Sequence, residues 1–257
     1  MIKSSESFIY NGQLSTDFGI INCTISKGLM EESFLPSSEI IEITTRNRDI
    51  PFFQKIQHKP FEFNITFAFI EAWNDEKLAS LARLFYVKFF SPMIFSENPS
   101  KIYYCIPVGD PIISHNGKQG YVTMNFKCNS PWAVSNIYSS PIYDLTSNPV
   151  EGTTISLTNS GDIPMAIKID AEIISGSTFL IQNMSDGGKY ISFSSLDVGE
   201  VLTINTENED ITTSKLLSYR YDAMEGEFLQ IPRGVNNLKI LGSIKLQFNY
   251  QFRLLQS

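Results

Sequence analysis

The sequence predicts a mainly β protein in two units. The first carries one helix and a projecting hairpin, and the second is a β-sandwich. Three observations carry that expectation. Residues 61–70 read FEFNITFAFI, an apolar–polar alternation with the period of two that a half-buried strand needs. Residues 74–88 are the one stretch with helical periodicity. Beyond residue 152, short apolar runs recur at intervals of roughly 8–12 residues, separated by Gly, Asn, Asp and Ser, as sandwich strands do.

Taken in order, residues 7–10 and 19–25 read as strands, with Asn11-Gly12 as the turn between them. Residues 26–37 form a loop. Residues 39–45 alternate, Ile41 and Ile43 against Glu42 and Thr44. Arg46-Asn47-Arg48-Asp49 is a polar tip, and residues 50–57 return. Apolar residues on both sides of the tip make this hairpin the expected contact with a neighbour. Ile41, Ile43, Arg48, Asp49, Ile50 and Phe52 are the candidate interface residues.

In the next strand, Phe61, Phe63, Ile65, Phe67 and Phe69 share one face. Each phenylalanine ring buries about 150–250 Å², enough for the stripe to organise a core. Asn74 is the N-cap of the helix, and Asp75 and Glu76 complement its dipole. Leu78, Leu81, Ala82 and Phe85 form its apolar face, and it is expected to stop near Lys88, ahead of Pro92. A strand at 102–108, a hairpin loop at His115-Asn116-Gly117-Lys118 and the alternating GYVTMNFKC of residues 120–128 complete the unit. Asn129-Ser130-Pro131 ends that strand, because proline removes a backbone donor and restricts its neighbour. Trp132 follows as an apolar anchor. The boundary falls there: residues 1–134 form one domain and residues 135–257 the other.

Residues 135–152, with their prolines and many Ser and Asn, read as a linker or edge strand. The second unit should hold strands at 155–158, 166–173, 179–182, 190–193, 201–205, 216–219 and 228–231. A long last strand alternates from Leu238 to Leu254.

Charge narrows the function. The chain has 20 basic and 27 acidic residues, a net charge of −7. Residues 1–134 hold 12 basic and 13 acidic side chains, and the remainder holds 8 and 14. Neither half offers the basic stripe that nucleic-acid binding requires. The apolar runs fall far short of the ~20 residues that span a bilayer, and the N-terminus lacks a signal-peptide core. The expectation is a soluble chain made in the cytoplasm. Cys23, Cys105 and Cys128 are an odd count without paired spacing, so buried free thiols are expected.

No catalytic, metal or cofactor site is expected. His58 and His115 are the only histidines, and neither has a partner at metal-ligand spacing. No GxSxG, HExxH, GxxxxGK[ST] or GxGxxG pattern occurs. Asp197, Glu200, Glu207, Glu209 and Asp210 fall in turns and read as a solvated rim rather than a glycosidase pair. Residues 207–210 also lack an EF-hand frame. Tyr219, Tyr221 and Phe228 are candidates to stack on a sugar or a partner, although strand packing is the commoner role of such rings.

The order of elements resembles the distal tail protein (Dit) family of long-tailed phages and prophages. Phe8-Ile9-Tyr10-Asn11-Gly12 with Asp17-Phe18-Gly19-Ile20 is similar to the family's first hairpin. Residues 46–50 fall where the family has a Gly-Arg-Asp-Gly tip; here Arg48-Asp49 matches and both glycines are absent. The phenylalanine strand, the single helix and NFKCNSPWA at 125–133 resemble the family's strand, helix and exit. Residues 157–161, 181–183, 196–204 and 231–242 resemble its C-terminal sandwich.

The resemblance implies a barrel- or sandwich-like first domain building a hexameric ring around a channel. It implies a galectin-like or carbohydrate-module-like second domain hanging outward. Such a ring joins the tail tube to the hub at the distal tail tip of a virion and in some phages carries receptor-binding proteins. The family catalyses nothing. DNA passes the channel without specific binding, which suits a near-neutral first unit. The alternative is a lectin-like carbohydrate-binding protein, with the second unit as the working module.

Overall fold

The computed structural model describes residues 2–23, 29–117 and 119–255. It contains two compact units, Met1–Ser135 with Leu254–Ser257, and Asn136–Arg253. The chain is mainly β, as its alternation predicts, and its last residues belong to the first unit.

In the first unit, Asn11 and Gly12 both take positive φ, 50° and 77°, the pairing a two-residue hairpin turn demands. The turn joins β1 (Phe8–Tyr10) to β2 (Gln13–Leu14), not to the expected strand at 19–25. A two-residue turn pairs only the segments that flank it directly. A 3-10 turn at Ser15–Phe18 and Gly19 at φ 66° then lead into β3 (Ile20–Cys23). Residues 24–28 of the expected strand and loop lie outside the described residues, as does Lys118.

β4 (Ser38–Thr45) and β5 (Arg48–His58) make a two-stranded sheet of their own. Then come β6 (Glu62–Phe69), α1 (Asp75–Phe85), β7 (Ser91–Phe95), β8 (Asn98–His115), β9 (Gly120–Cys128) and β10 (Ala133–Val134). The main sheet is ordered β2-β1-β7-β8-β9-β6-β3, and β10 also pairs with β8. The first half of β8 pairs with β7 and the second half with β9, with a bulge between Val108 and Ile112. A bulge bends its strand, and the sheet curls into a half-barrel.

Helix α1 begins as its sequence directs. The Asn74 side chain accepts the Lys77 N–H at 2.8 Å. It ends at Phe85, short of Lys88, where the Tyr86 N–H closes the last turn on the Ala82 carbonyl. Leu81, Leu84 and Phe85 are buried, Leu78 packs against the core edge, and Ala82 is exposed. The core is aromatic. Phe67 stacks on Phe85 at 5.7 Å, Tyr10 on Phe85 at 5.5 Å and Phe63 on Phe126 at 5.5 Å. Tyr10 is fully buried and donates to the Cys105 carbonyl, and burial pushes its hydroxyl up. Cys105 and Cys128 face each other across β8 and β9 as buried free thiols. Burial, with a further push from the facing thiol, raises Cys105, which makes it a poor nucleophile.

The second unit contains β11 (Tyr138–Ser139), β12 (Tyr143–Asp144), β13 (Thr153–Asn159), β14 (Met165–Asn183), β15 (Lys189–Phe193), β16 (Val201–Asn205), β17 (Asp210–Thr213), β18 (Met224–Gly226), β19 (Gln230–Ile231) and β20 (Gly234–Tyr250). The segment expected as linker or edge strand supplies β11 and β12, both paired to β20. The expected strands at 166–173 and 179–182 are one continuous β14. It pairs with β20 from Ile167↔Tyr250 to Asn183↔Leu238, with register irregularities around Ser175. At the bend Gly242 takes φ 104°, and a Cβ there would stand 2.7 Å from the Thr178 carbonyl. Both strands therefore turn a corner and serve both halves of the core, as corner strands of sandwiches do. Ile169, Ile181, Leu202, Ile240, Ile244 and Phe248 are fully buried there.

Two expected strands are corrected. Residues 216–219 form an exposed turn rather than a strand, with Leu217 in the left-handed region at φ 55°. Of 228–231, only Gln230–Ile231 is strand, because Phe228 and Leu229 pack inward before pairing begins.

Candidate assembly interface

The β4–β5 arm is built by register. Ile43 pairs with Phe52, Ile41 with Lys55 and Thr45 with Arg48. The Arg48 guanidinium lies 4.1 Å over the Phe52 ring, so these two share a face although the register between them is irregular. On the other face Ile40 pairs with Ile56 and Glu42 with Phe53. Apolar side chains therefore project from both faces. Ile50 is 69% exposed and Phe53 64% exposed; Ile43, Arg48, Asp49 and Phe52 are also exposed, and Ile41 is half-buried.

The structure thus gathers all six candidate interface residues on one arm. Ile40, Phe53 and Ile56 on the same arm are exposed as well and stand beside that set. The signal was present in the adjacent pairs Ile40-Ile41 and Phe52-Phe53, since neighbouring strand residues point to opposite faces. Apolar side chains this exposed, on both faces of one hairpin, make the arm the candidate interface of the first unit.

A second surface lies in the other unit, at the turn after β17. Its base is an ion-pair network. Arg220 holds Glu200 through Nε–Oε1 and Nη2–Oε2, both at 2.7 Å. Thr213 Oγ1 donates to Oε1 at 2.5 Å, and the Asp197 N–H donates to Oε2 at 3.0 Å. Lys215 and Arg220 also reach Asp197. Burial pushes the Glu200 carboxyl up, but the hydrogen bonds from Arg220, Thr213 and Asp197 outweigh it and hold the pKa at about 2. Glu200 is therefore not part of a solvated rim, and its partner 20 residues away left no local signal. Above this base Leu216, Leu217 and Tyr219 project into solvent.

The three candidate stacking residues differ. Tyr219 is 86% exposed. The Tyr221 hydroxyl donates to Asp210 Oδ1 at 2.9 Å and accepts the Ile211 N–H, which fixes its ring. Phe228 packs against the second core. Among the described residues no ring contact joins any two of them.

Three further polar candidates are engaged in structure. Glu207 pairs with Arg253. His58 packs edge-on against Trp132 at 5.2 Å, and His115 Nδ1 accepts the Gly117 N–H. Among the described residues no group of three or more His, Cys, Asp or Glu side chains could hold a metal ion. No helix among them is long and apolar enough to cross a membrane.

Residues 3–130 match the family described as phage tail protein N-terminal domain. Over 258 residues the chain is 27% identical to the SPbeta prophage-derived uncharacterized protein YomH of Bacillus subtilis (strain 168), covering 99% of this chain and 100% of the relative. The crystal structure of SPP1 Dit (gp 19.1) aligns with 96% of this chain and 98% of its own, at a TM-score of 0.68 and 16% identity. The chain has the distal tail protein fold. A chain of the phage P2 baseplate in its activated conformation with Ca aligns with 96% of this chain and 97% of its own, at a TM-score of 0.48 and 9% identity. SPP1 Dit is described as a paradigm of hub adsorption apparatus in phages that infect Gram-positive hosts.

Proposed function

We propose that this phage tail protein forms a closed ring of six copies at the distal tip of a long non-contractile tail, linking the tail tube to the hub and adsorption apparatus. The observation that carries the reading is the arm, whose Ile and Phe side chains lie open on both faces. Exposed apolar area costs about 25 cal/mol per Å² until a partner covers it. A closed ring covers it with identical heterologous contacts. The first unit, residues 1–135 with 254–257, builds the ring, and residues 136–253 form the outward docking domain. Its partners are sister copies, the tail-tube protein, the hub protein and receptor-binding proteins. The near-neutral first unit suits a channel that DNA crosses without adhering, and the chain performs no catalysis. The test is the mass and symmetry of the purified protein by light scattering and negative-stain imaging, alone and with its hub partner. A ring is expected; monomers under every condition at high concentration would sink the reading.

A second reading, sugar binding by the sandwich, is favoured by one observation: Tyr219 stands free on a turn pinned by Arg220 and Glu200. A glycan array tests it. Binding that disappears in Tyr219→Ala would support it, and an array with no hits would remove it.

A further inference from the structure

The first unit has a recess that matches its own arm. A groove of about 510 Å³ opens between α1 and the bend of β8. Leu78, Ala82 and Phe85 line it from the helix, Ile112 and Ile113 from β8, and Val122 from β9. None of its lining side chains is charged. The sequence explains why it is open. Ala82 leaves a gap between Leu78 and Phe85 on the helix face. The bulge after Val108, with Gly109 at φ 71° and Pro107 and Pro111 beside it, carries β8 off the regular ladder. Ile112 is consequently 62% exposed.

We propose that the arm of one copy seats in this groove on the next copy. The proposal rests on the ring reading and names the site that receives the arm. Three features select a sister copy as occupant. First, the arm packs extensively on no other element among the described residues, and both of its faces are open, so a molecule does not fill its own groove. Second, the open part of Ile40, Ile43, Ile50, Phe52, Phe53 and Ile56 amounts to roughly 600 Å² of apolar surface. It is divided between the arm's two faces, so the groove covers one part of it; the whole approaches the ~800 Å² one partner contributes to a standard interface. Third, a protruding apolar element and an apolar recess on one unit make a heterologous pair, which chains copies head to tail and closes into a ring when the rotation permits.

Crosslinking between separately made variants tests this. Ile50→Cys and Phe53→Cys protein is mixed with Ile112→Cys or Tyr86→Cys protein, allowed to assemble, and oxidised with copper–phenanthroline. At least one arm–groove mixture should give a dimer that reductant reverses. All variants are made in a Cys23→Ser background, because Cys23 is partly exposed; that parent and each variant alone should give none, since Cys105 and Cys128 are buried. Ala82→Trp, which fills the groove, should lower the assembled fraction at least tenfold with an unchanged far-ultraviolet spectrum and melting temperature. If light scattering shows assembly but no mixture crosslinks, or Ala82→Trp assembles normally, the groove is wrong and the ring reading stands. If wild type never assembles, both fall.

Discussion

β5 and β6 are neighbours in sequence, separated by three residues, and both are rich in Phe and Ile. They end in opposite environments. β6 keeps its apolar residues on one face, lies between β9 and β3, and buries Ile65, Phe67 and Phe69. β5 carries Phe52 and Phe53 side by side, one on each face, in a sheet of two strands that packs extensively on no other element among the described residues. One-sided alternation describes a strand whose partner layer is in the same chain. Two-sided apolar content in this hairpin leaves apolar side chains exposed on both faces.

The largest effect that would break this contrast is at Phe67, which contacts Phe8 and Phe85. Phe67→Ala should cost about 3–5 kcal/mol in urea unfolding, whereas Phe53→Ala in the monomer should stay within ~0.5 kcal/mol. Equal losses would mean that the arm is core after all.

The second unit sharpens the contrast with a polar core element. Arg220→Met strands the buried Glu200 carboxylate and should destabilise that unit by about 3 kcal/mol, the low end for a broken buried pair because Arg220 keeps some exposure. The same pair predicts a pH profile. Glu200 titrates at about 2 when folded, below its ordinary 4.5, so its contribution is complete above about 4.5 and is lost as pH falls to about 2. Acid melting curves of wild type should fall through that window more steeply than those of Glu200→Gln.

Removing the cap with Asn74→Ala should cost about 1 kcal/mol in the first unit. The smallest stability effect belongs to the arm: Ile50→Asp or Phe52→Asp should leave the monomer melting point unchanged while light scattering shows assembly lost. A large drop in melting point would make the arm a structural part of its own subunit.

Much of the fold was legible. The period of two identified β6 and β9, Asn74 with its acidic first turn marked α1, and Pro131 with Trp132 marked the exit from the first unit's last long strand. The hairpin that carries the arm was legible as well, because its strands alternate on either side of a polar tip, although Ile40, Phe53 and Ile56 were not singled out. Less was legible where the determinant is distant. Asn11-Gly12 is a turn, as its residues demand, but pairing sent β3 to β6. Residues 216–219 look like a strand because their apolar content imitates one, and they are a turn because Arg220 and Lys215 tie it to Glu200 and Asp197.

By itself the sequence determined which segments extend, which one coils and which faces are apolar, because those depend on residues two to four positions apart. Tertiary structure alone decided which apolar faces find cover within the chain and which stay open. It also decided that Glu200 is buried and that a groove lies beside α1. Burial is set by what a distant segment brings into contact, and no local period encodes that.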